Sequence, residues 1–340
     1  MSRMTTRTSR IPRWGRGRRI RLATAGVLLS VLAAGVLPAS VASASVASVA
    51  SASSAASASA GAPVAVAQGH DRSAAAQGIR RIPLQGAVNV RDLGGYRTYT
   101  GGEVRHGLVY RSDALGKVTD ADLVTLSGLG LKKVVDFRIP MEVQYDGADR
   151  LPAGLTPVAR PVSDLGLFGT LVSAIRAGDP VKQEQMLGGG RAEAYMRDIY
   201  RTFVTSPESR AQFATTLREI ADGRQGPLLF HCTAGKDRTG WLSYVLLRAL
   251  AVPEGWAEQD FLATNGFRAA YDAQVREGLR QAGLMQKPEL LIPLQEVRED
   301  YLDAALAQMT ADYGSFYGYL TQGLGLDLRT LAKLQSKMVR

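Results

Sequence analysis

A strand, a short loop and a buried helix follow one another at residues 227–250, and this join constrains the chain more than any other stretch. Pro-Leu-Leu-Phe-His at 227–231 is a short apolar run bounded by Gly226, the pattern of a buried strand. From Arg238 to Leu250 the chain is apolar on most helical faces, through Trp241, Leu242, Tyr244, Val245, Leu246, Leu247 and Leu250. That marks a central buried helix. Between them stands His231-Cys232-Thr233-Ala234-Gly235-Lys236-Asp237-Arg238-Thr239-Gly240. If such a loop wraps into a cradle, its backbone N–H groups and the helix N-terminus converge on one point, a geometry suited to a tetrahedral anion. Arg238 can hold two anion oxygens with its planar fork. Gly235 and Gly240 permit tight turns and close backbone approach. The expected phosphate-binding set is Thr233, Ala234, Gly235, Lys236, Arg238, Thr239 and Gly240.

Cys232 is the only cysteine of the 340 residues, which excludes an intramolecular disulfide framework, a thiolate zinc finger and an iron–sulfur site. Three histidines, His70, His106 and His231, argue against a multi-histidine metal centre. A lone cysteine is more often a small buried hydrophobe than a nucleophile. Here the helix N-terminus, the loop N–H groups, Lys236 and Arg238 all favour thiolate over thiol. A thiolate beneath a bound phosphate is placed for in-line attack on phosphorus, followed by hydrolysis of a cysteinyl-phosphate. Thr239 is expected to donate its hydroxyl to the sulfur as it leaves. Arginine and backbone dipoles offset the phosphoryl charge, so neither metal nor cofactor is required. A papain-like pair is disfavoured, because His231 precedes the cysteine on a strand and points the other way. The G-x-x-x-x-G-K-[ST] pattern of Walker-type loops is absent.

At these residues the chain resembles the cysteine-dependent tyrosine phosphatase superfamily. More narrowly, it resembles the secreted bacterial tyrosine and phosphoinositide phosphatases whose loop reads HCxAGKDRTG. The resemblance extends to Asn89-Val90-Arg91-Asp92-Leu93-Gly94-Gly95-Tyr96, to Tyr110-Arg111-Ser112, to Val135-Asp136-Phe137-Arg138, and to Tyr313-Gly314-Ser315 with Gly318-Tyr319-Leu320. It spans roughly residues 80–335. It implies hydrolysis of phosphomonoesters, of protein phosphotyrosine, sometimes phosphoserine or phosphothreonine, and of phosphoinositides. A non-catalytic phosphate- or phosphoinositide-binding module is the alternative, and intact Cys232, Lys236, Asp237 and Arg238 argue against it. Thr233 stands where some lipid phosphatases carry a second lysine, which weakens the lipid reading.

Protonating the leaving oxygen needs a carboxylic acid within hydrogen-bond reach. The candidates are Asp237, inside the loop, and Asp164, after the Asp136 strand where related phosphatases place a mobile acid loop. Asp237 is favoured. The bland readings are a salt bridge to Lys236 or Arg238 for the first and a solvated loop aspartate for the second. Arg91, Asp92, Arg111, Asp136 and Arg138 are expected to form one supporting charge network under the loop, mainly as structural salt bridges. Residues 165–190, apolar at first and ending Gly188-Gly189-Gly190, read either as a mobile helical lid with a glycine hinge or as a packed surface helix.

The rest of the chain alternates strand and helix patterns. Leu108–Tyr110 and Val134–Phe137 read as strands. Thr119 caps a helix running to about Leu129. Helices are expected over 191–204, 207–222 and 256–282, with 294–335 helical but interrupted. The fold class is therefore α/β, a central mixed or parallel sheet flanked by helices. The net charge of +10 would suggest nucleic acid, but eight arginines fall within residues 1–22. Removing those from the 41 basic residues leaves 33 against 31 acidic, and no basic stripe remains. Residues 23–37 are uncharged and mostly apolar, and Ala42-Ser43-Ala44 offers a cleavage site. That is the layout of a secretory signal over 1–44, with an uncleaved N-terminal anchor as the alternative. An Ala/Ser-rich linker over 45–78 and a catalytic domain over 79–340 follow. The expected partner is a phosphorylated protein, peptide or phosphoinositide, with neither nucleic acid nor a stable membrane span, and the expected location is extracellular.

Overall fold

The computed structural model describes residues 79–222 and 226–340. The expected signal and linker lie outside them. Six strands form one sheet: β1 (Arg80–Arg81), β2 (Arg91–Asp92), β3 (Val109–Ser112), β4 (Lys133–Asp136), β5 (Pro157–Ala159) and β6 (Leu228–His231), in the order β1-β2-β3-β6-β4-β5. The first three pair antiparallel, while β3, β6, β4 and β5 are parallel. The mixed α/β sheet agrees with the alternating pattern. Residues 108–110 and 134–137 form strands shifted by a residue or two. The two-residue strands β1 and β2 carry no apolar alternation, so no period in the sequence reveals them.

Strand register assigns each face. Tyr110, Leu229 and Val134 lie side by side, and pack with Val118 and with Leu126 of α1 (Asp120–Gly128). One residue on, Arg111, Phe230 and Val135 form the row on the opposite face. A further step aligns Ser112, His231 and Asp136 at the carboxyl ends of the strands. Open parallel sheets bind ligands outside those ends.

The α1 helix starts as the sequence implies. Thr119 accepts from the Asp122 N–H, and Asp122 accepts from the Thr119 N–H. Then come α2 (Pro140–Asp146), α3 (Leu167–Ala177), α4 (Pro180–Leu187), α5 (Arg191–Thr205), α6 (Pro207–Asp222), α7 (Arg238–Ala249), α8 (Glu254–Gln281), α9 (Ile292–Gln295), α10 (Glu299–Tyr313), α11 (Phe316–Gly318) and α12 (Leu328–Met338). Helix α7 is buried on nearly every face, as its composition demands. Residues 165–190 are helical and packed: Val172, Ala174, Ile175 and Leu187 join the main core. The Gln183 amide donates to the carbonyls of Ala174 and Leu284. Among the described residues, no helix is long and apolar enough to cross a membrane.

Candidate active site

Residues 232–237 connect β6 to α7, and accounting for their backbone groups explains the loop's shape. The Thr233 carbonyl accepts from the Ala114 N–H at 3.1 Å. The Ala234 carbonyl accepts from Asn89 Nδ2 at 3.0 Å and Arg268 Nη1 at 3.3 Å. The Gly235 carbonyl accepts from Asn89 Nδ2 at 3.0 Å and Arg111 Nη2 at 2.7 Å. The carbonyls are thus drawn outward. Among the described residues no group accepts from the N–H groups of Thr233 through Gly240. A run of unengaged N–H groups ending at a helix N-terminus is a nest for an anion. Gly235 has φ +63°, and a Cβ there would lie 2.4 Å from the Ser112 carbonyl oxygen, so only glycine fits.

Behind the loop lies a buried ion cluster. Asp260 of α8 accepts from Arg91 Nε at 2.8 Å, Arg111 Nη1 at 2.5 Å and the Tyr96 hydroxyl at 3.1 Å. Arg91 Nη1 also donates to Asn89 Oδ1, which turns the Asn89 amide toward the loop carbonyls. Burial alone would raise the Asp260 pKa, but the charges of Arg91 and Arg111 outweigh it and bring it down to about 2. Burial, with Arg91 alongside, pulls Arg111 down to about 10.

In front, Arg238 is gripped by Glu142 of α2. Nη1 donates to Oε2 at 2.6 Å, Nη2 to Oε1, and Nη1 also reaches the Phe137 carbonyl at 3.3 Å. Thr233 Oγ1 donates to the same carboxylate at 2.6 Å, and the Ile139 N–H at 2.8 Å. Burial would raise the Glu142 pKa, yet the Arg238 charge and these donors hold it below the usual carboxylate range. Glu142 is set in place by α2 itself, as its third residue bonding back to the residue before the helix.

Cys232 is buried, 1% exposed, at the base of this cradle. Lys236 Nζ donates to Asp237 Oδ1 at 2.9 Å and to the Glu296 carbonyl at 3.3 Å. Asp164 is used differently from Asp237. Its Oδ1 accepts from the Gly166 N–H at 2.9 Å and its Oδ2 from the Phe168 N–H at 2.8 Å, so both oxygens are engaged at the start of α3. It nevertheless lies within the electrostatic reach of Arg238. The Thr239 hydroxyl does not donate to the sulfur here. It is buried without a hydrogen-bond partner among the described residues.

The single charge network expected under the loop is divided into three. Arg91 and Arg111 join Asp260. Asp92 instead accepts from the Gly94 and Gly107 N–H groups, both at 2.8 Å, and pins the 94–107 segment. Asp136 and Arg138 form a third group with Asp149 and His231. There Arg138 Nη2 donates to Asp136 Oδ2 at 2.9 Å and Asp149 Oδ1 at 2.8 Å. His231 Nε2 lies 2.9 Å from Asp149 Oδ2. The division follows from alternation: Arg91 and Asp92 are neighbours on a strand, so they face opposite sides. Asp136, Asp149 and His231 are close enough to hold a metal ion, but the Arg138 guanidinium already occupies both carboxylates. Burial opposes protonation of His231, and the Asp149 hydrogen bond with the Asp149 and Asp136 charges overrides it, so its pKa is raised.

Asn89 and Arg91 sit in a block whose resemblance was legible, whereas Glu142, Asp260 and Asp149 were missed. Asp260 did leave a trace. It falls on the apolar stripe Ala257, Phe261, Thr264 and Phe267 of α8, where a charge needs a buried partner.

Comparison with known proteins agrees with this geometry. Residues 82–340 match the tyrosine phosphatase family. A Cupriavidus necator protein provisionally named a tyrosine-protein phosphatase is 35% identical over 260 residues, covering 76% of this chain and 89% of its own. The triple specificity protein phosphatase PtpB of Mycobacterium tuberculosis is 28% identical over 282 residues, covering 77% and 99%. A tyrosine-protein phosphatase of Nostoc commune is 28% identical over 232 residues, covering 67% and 73%. The family match begins three residues into the described region and runs to its end, so it takes in every residue around Cys232: this chain is a phosphatase and belongs to the tyrosine phosphatase family.

Proposed function

We propose that the chain hydrolyses phosphomonoesters by double displacement through Cys232, with protein phosphotyrosine as the main substrate class. The observation that carries this reading is the unengaged N–H cradle around Cys232, closed by an Arg238 that Glu142 locks from behind. In the first step the Cys232 sulfur attacks phosphorus, an S–P bond forms and the ester P–O bond breaks. The leaving oxygen takes a proton from a carboxylic acid. In the second step water attacks the cysteinyl-phosphate, its proton passes to that carboxylate, and the sulfur leaves as thiolate. Arg238 and the loop N–H groups hold the equatorial oxygens throughout, and nothing in this sequence of steps calls for a metal. The Thr239 hydroxyl, with no hydrogen-bond partner among the described residues, is placed to turn toward the departing sulfur.

Asp237 is our choice for the acid. Its Oδ2 makes no hydrogen bond with a described residue, whereas both oxygens of Asp164 are engaged. Phosphoserine, phosphothreonine and phosphoinositides are secondary substrates in this reading, in line with the triple specificity in the name of the M. tuberculosis relative. The arginine-rich start and apolar run of residues 1–44 support export to the extracellular side.

Turnover of p-nitrophenyl phosphate by wild type and Cys232→Ser, each with and without a chelator, tests the core of the proposal. Wild type is expected to turn over equally in both conditions and the variant not at all. An inactive wild type sinks the reading, and loss with chelator sinks metal independence. Asp237→Ala and Asp164→Ala, compared on good and poor leaving groups, identify the acid. A panel of phosphopeptides and phosphoinositides ranks the substrates.

A further inference from the structure

Asp237 is also held by a residue from another part of the chain. The Tyr200 hydroxyl, on α5, donates to Asp237 Oδ1 at 3.0 Å, the same oxygen that Lys236 engages. Tyr200 is fully buried, and its ring is fixed by Phe203, Phe261 and Tyr301 at centroid distances of 5.2, 6.0 and 6.1 Å. Burial first, and the Asp237 charge second, push its ionisation far above the ordinary phenol range. The hydroxyl is therefore a donor at every working pH.

The two donors are not equivalent. A lysine next to Asp237 in sequence has a flexible stem, and its ammonium can follow either carboxylate oxygen. The terminal torsion of an aspartate is soft and two-fold, so Lys236 alone does not distinguish the oxygens. A phenol on a ring locked by three aromatic neighbours offers its proton at one place only. It is the group that breaks the symmetry of the carboxyl.

We propose that Tyr200 is a positioning residue for Asp237. It keeps Oδ1 on the protein side and leaves Oδ2 as the oxygen presented to the leaving group. The inference rests on reading Asp237 as the acid. The charged or titratable groups around the pair are Lys236, Arg238 and Cys232 of the loop, Tyr301 of α10 and Arg111 of β3. Tyr301 is the other phenol in this set, and its hydroxyl is engaged by the Pro293 carbonyl at 3.1 Å.

Tyr200→Phe removes the hydroxyl and keeps the ring. Wild type, Tyr200→Phe, Asp237→Asn and the double variant are each assayed on p-nitrophenyl phosphate, a good leaving group, and phenyl phosphate, a poor one. Tyr200→Phe is expected to lower kcat/KM, which reports only the step that expels the leaving group, about tenfold on phenyl phosphate, a fraction of the ~10²–10⁴ that general acid catalysis supplies. On p-nitrophenyl phosphate kcat/KM should stay within about twofold. The kcat/KM of the double variant should be no lower than that of Asp237→Asn. The ratio of the two substrates is read within one preparation, so partial misfolding does not mimic the effect. Equal losses of kcat/KM on both substrates, or a double variant with lower kcat/KM than Asp237→Asn, overturn the proposal. If Asp237→Asn itself spares the poor leaving group, the assignment of the acid falls and takes the proposal with it. If Asp237→Asn is selective and Tyr200→Phe is not, only Tyr200 is overturned.

Discussion

Arginines flank the 232–237 loop on two sides and are used in opposite ways. Behind it, Arg91 and Arg111 share one carboxylate, Asp260, and give further donors to Asn89, Thr264 and the Gly235 carbonyl. In front, Arg238 has its own carboxylate, Glu142, and Lys236 has Asp237. The cations nearest the ligand position are thus each matched by an acid. The unmatched positive charge, two guanidiniums against one carboxylate, sits behind the backbone where no ligand reaches. All three arginines are buried, so position and partners, not burial or residue type, separate the pair that shapes the loop from the one beside the cradle.

The largest test of that contrast removes the shared carboxylate. Asp260→Ala leaves two arginines facing each other in the interior, and breaking a buried ion pair by deleting one partner costs about 3–5 kcal/mol. Urea unfolding should show a loss of that size, with Gly235 no longer held. A loss below about 1 kcal/mol would mean the cluster does not fix the loop. Next is Arg238→Lys, which keeps the charge and loses the fork. It should lower kcat about 10²–10³-fold on p-nitrophenyl phosphate, with a melting temperature close to that of wild type. If Arg238→Lys is instead destabilised as much as Asp260→Ala, the two sides of the loop are not different in kind.

Smaller effects come from pH. The Asp260 pKa is depressed to about 2 from an ordinary 3.8. Its contribution to stability is therefore complete above about 4 and is lost as pH falls toward about 2, and Asp260→Asn should flatten that acid limb. The His231 pKa is raised from 6.5. Its contribution is complete below that ordinary value and fades as pH rises through the raised one. Unfolding curves between pH 6 and 9 should show wild type losing stability over this window and His231→Gln losing less. An identical slope in both would show that the imidazole is not charged in the folded state.

Parts of this molecule were plain in the sequence because the signal was local. The loop, its glycines, the Thr119 cap and the fully apolar helix after Arg238 each lie within a dozen residues of chain. Glu142 and Asp260 were not, because their meaning depends on partners 96 and 169 residues away in the chain, as the hydrogen bonds they accept from Arg238 and Arg91 show. The expected network failed for a related reason. Arg91 and Asp92 are adjacent in sequence, but a strand sends consecutive side chains to opposite faces.

By itself, then, the sequence determined the α/β class and the strand–loop–helix unit that carries Cys232 and Arg238, since backbone preference and hydrophobic period act over short spans. Tertiary structure alone decided which acid locks Arg238, which buried cluster turns the loop carbonyls outward, and which oxygen of Asp237 is left free. Those choices are made by side chains meeting across elements, where the gain from pairing a buried charge depends on distance in space and not along the chain.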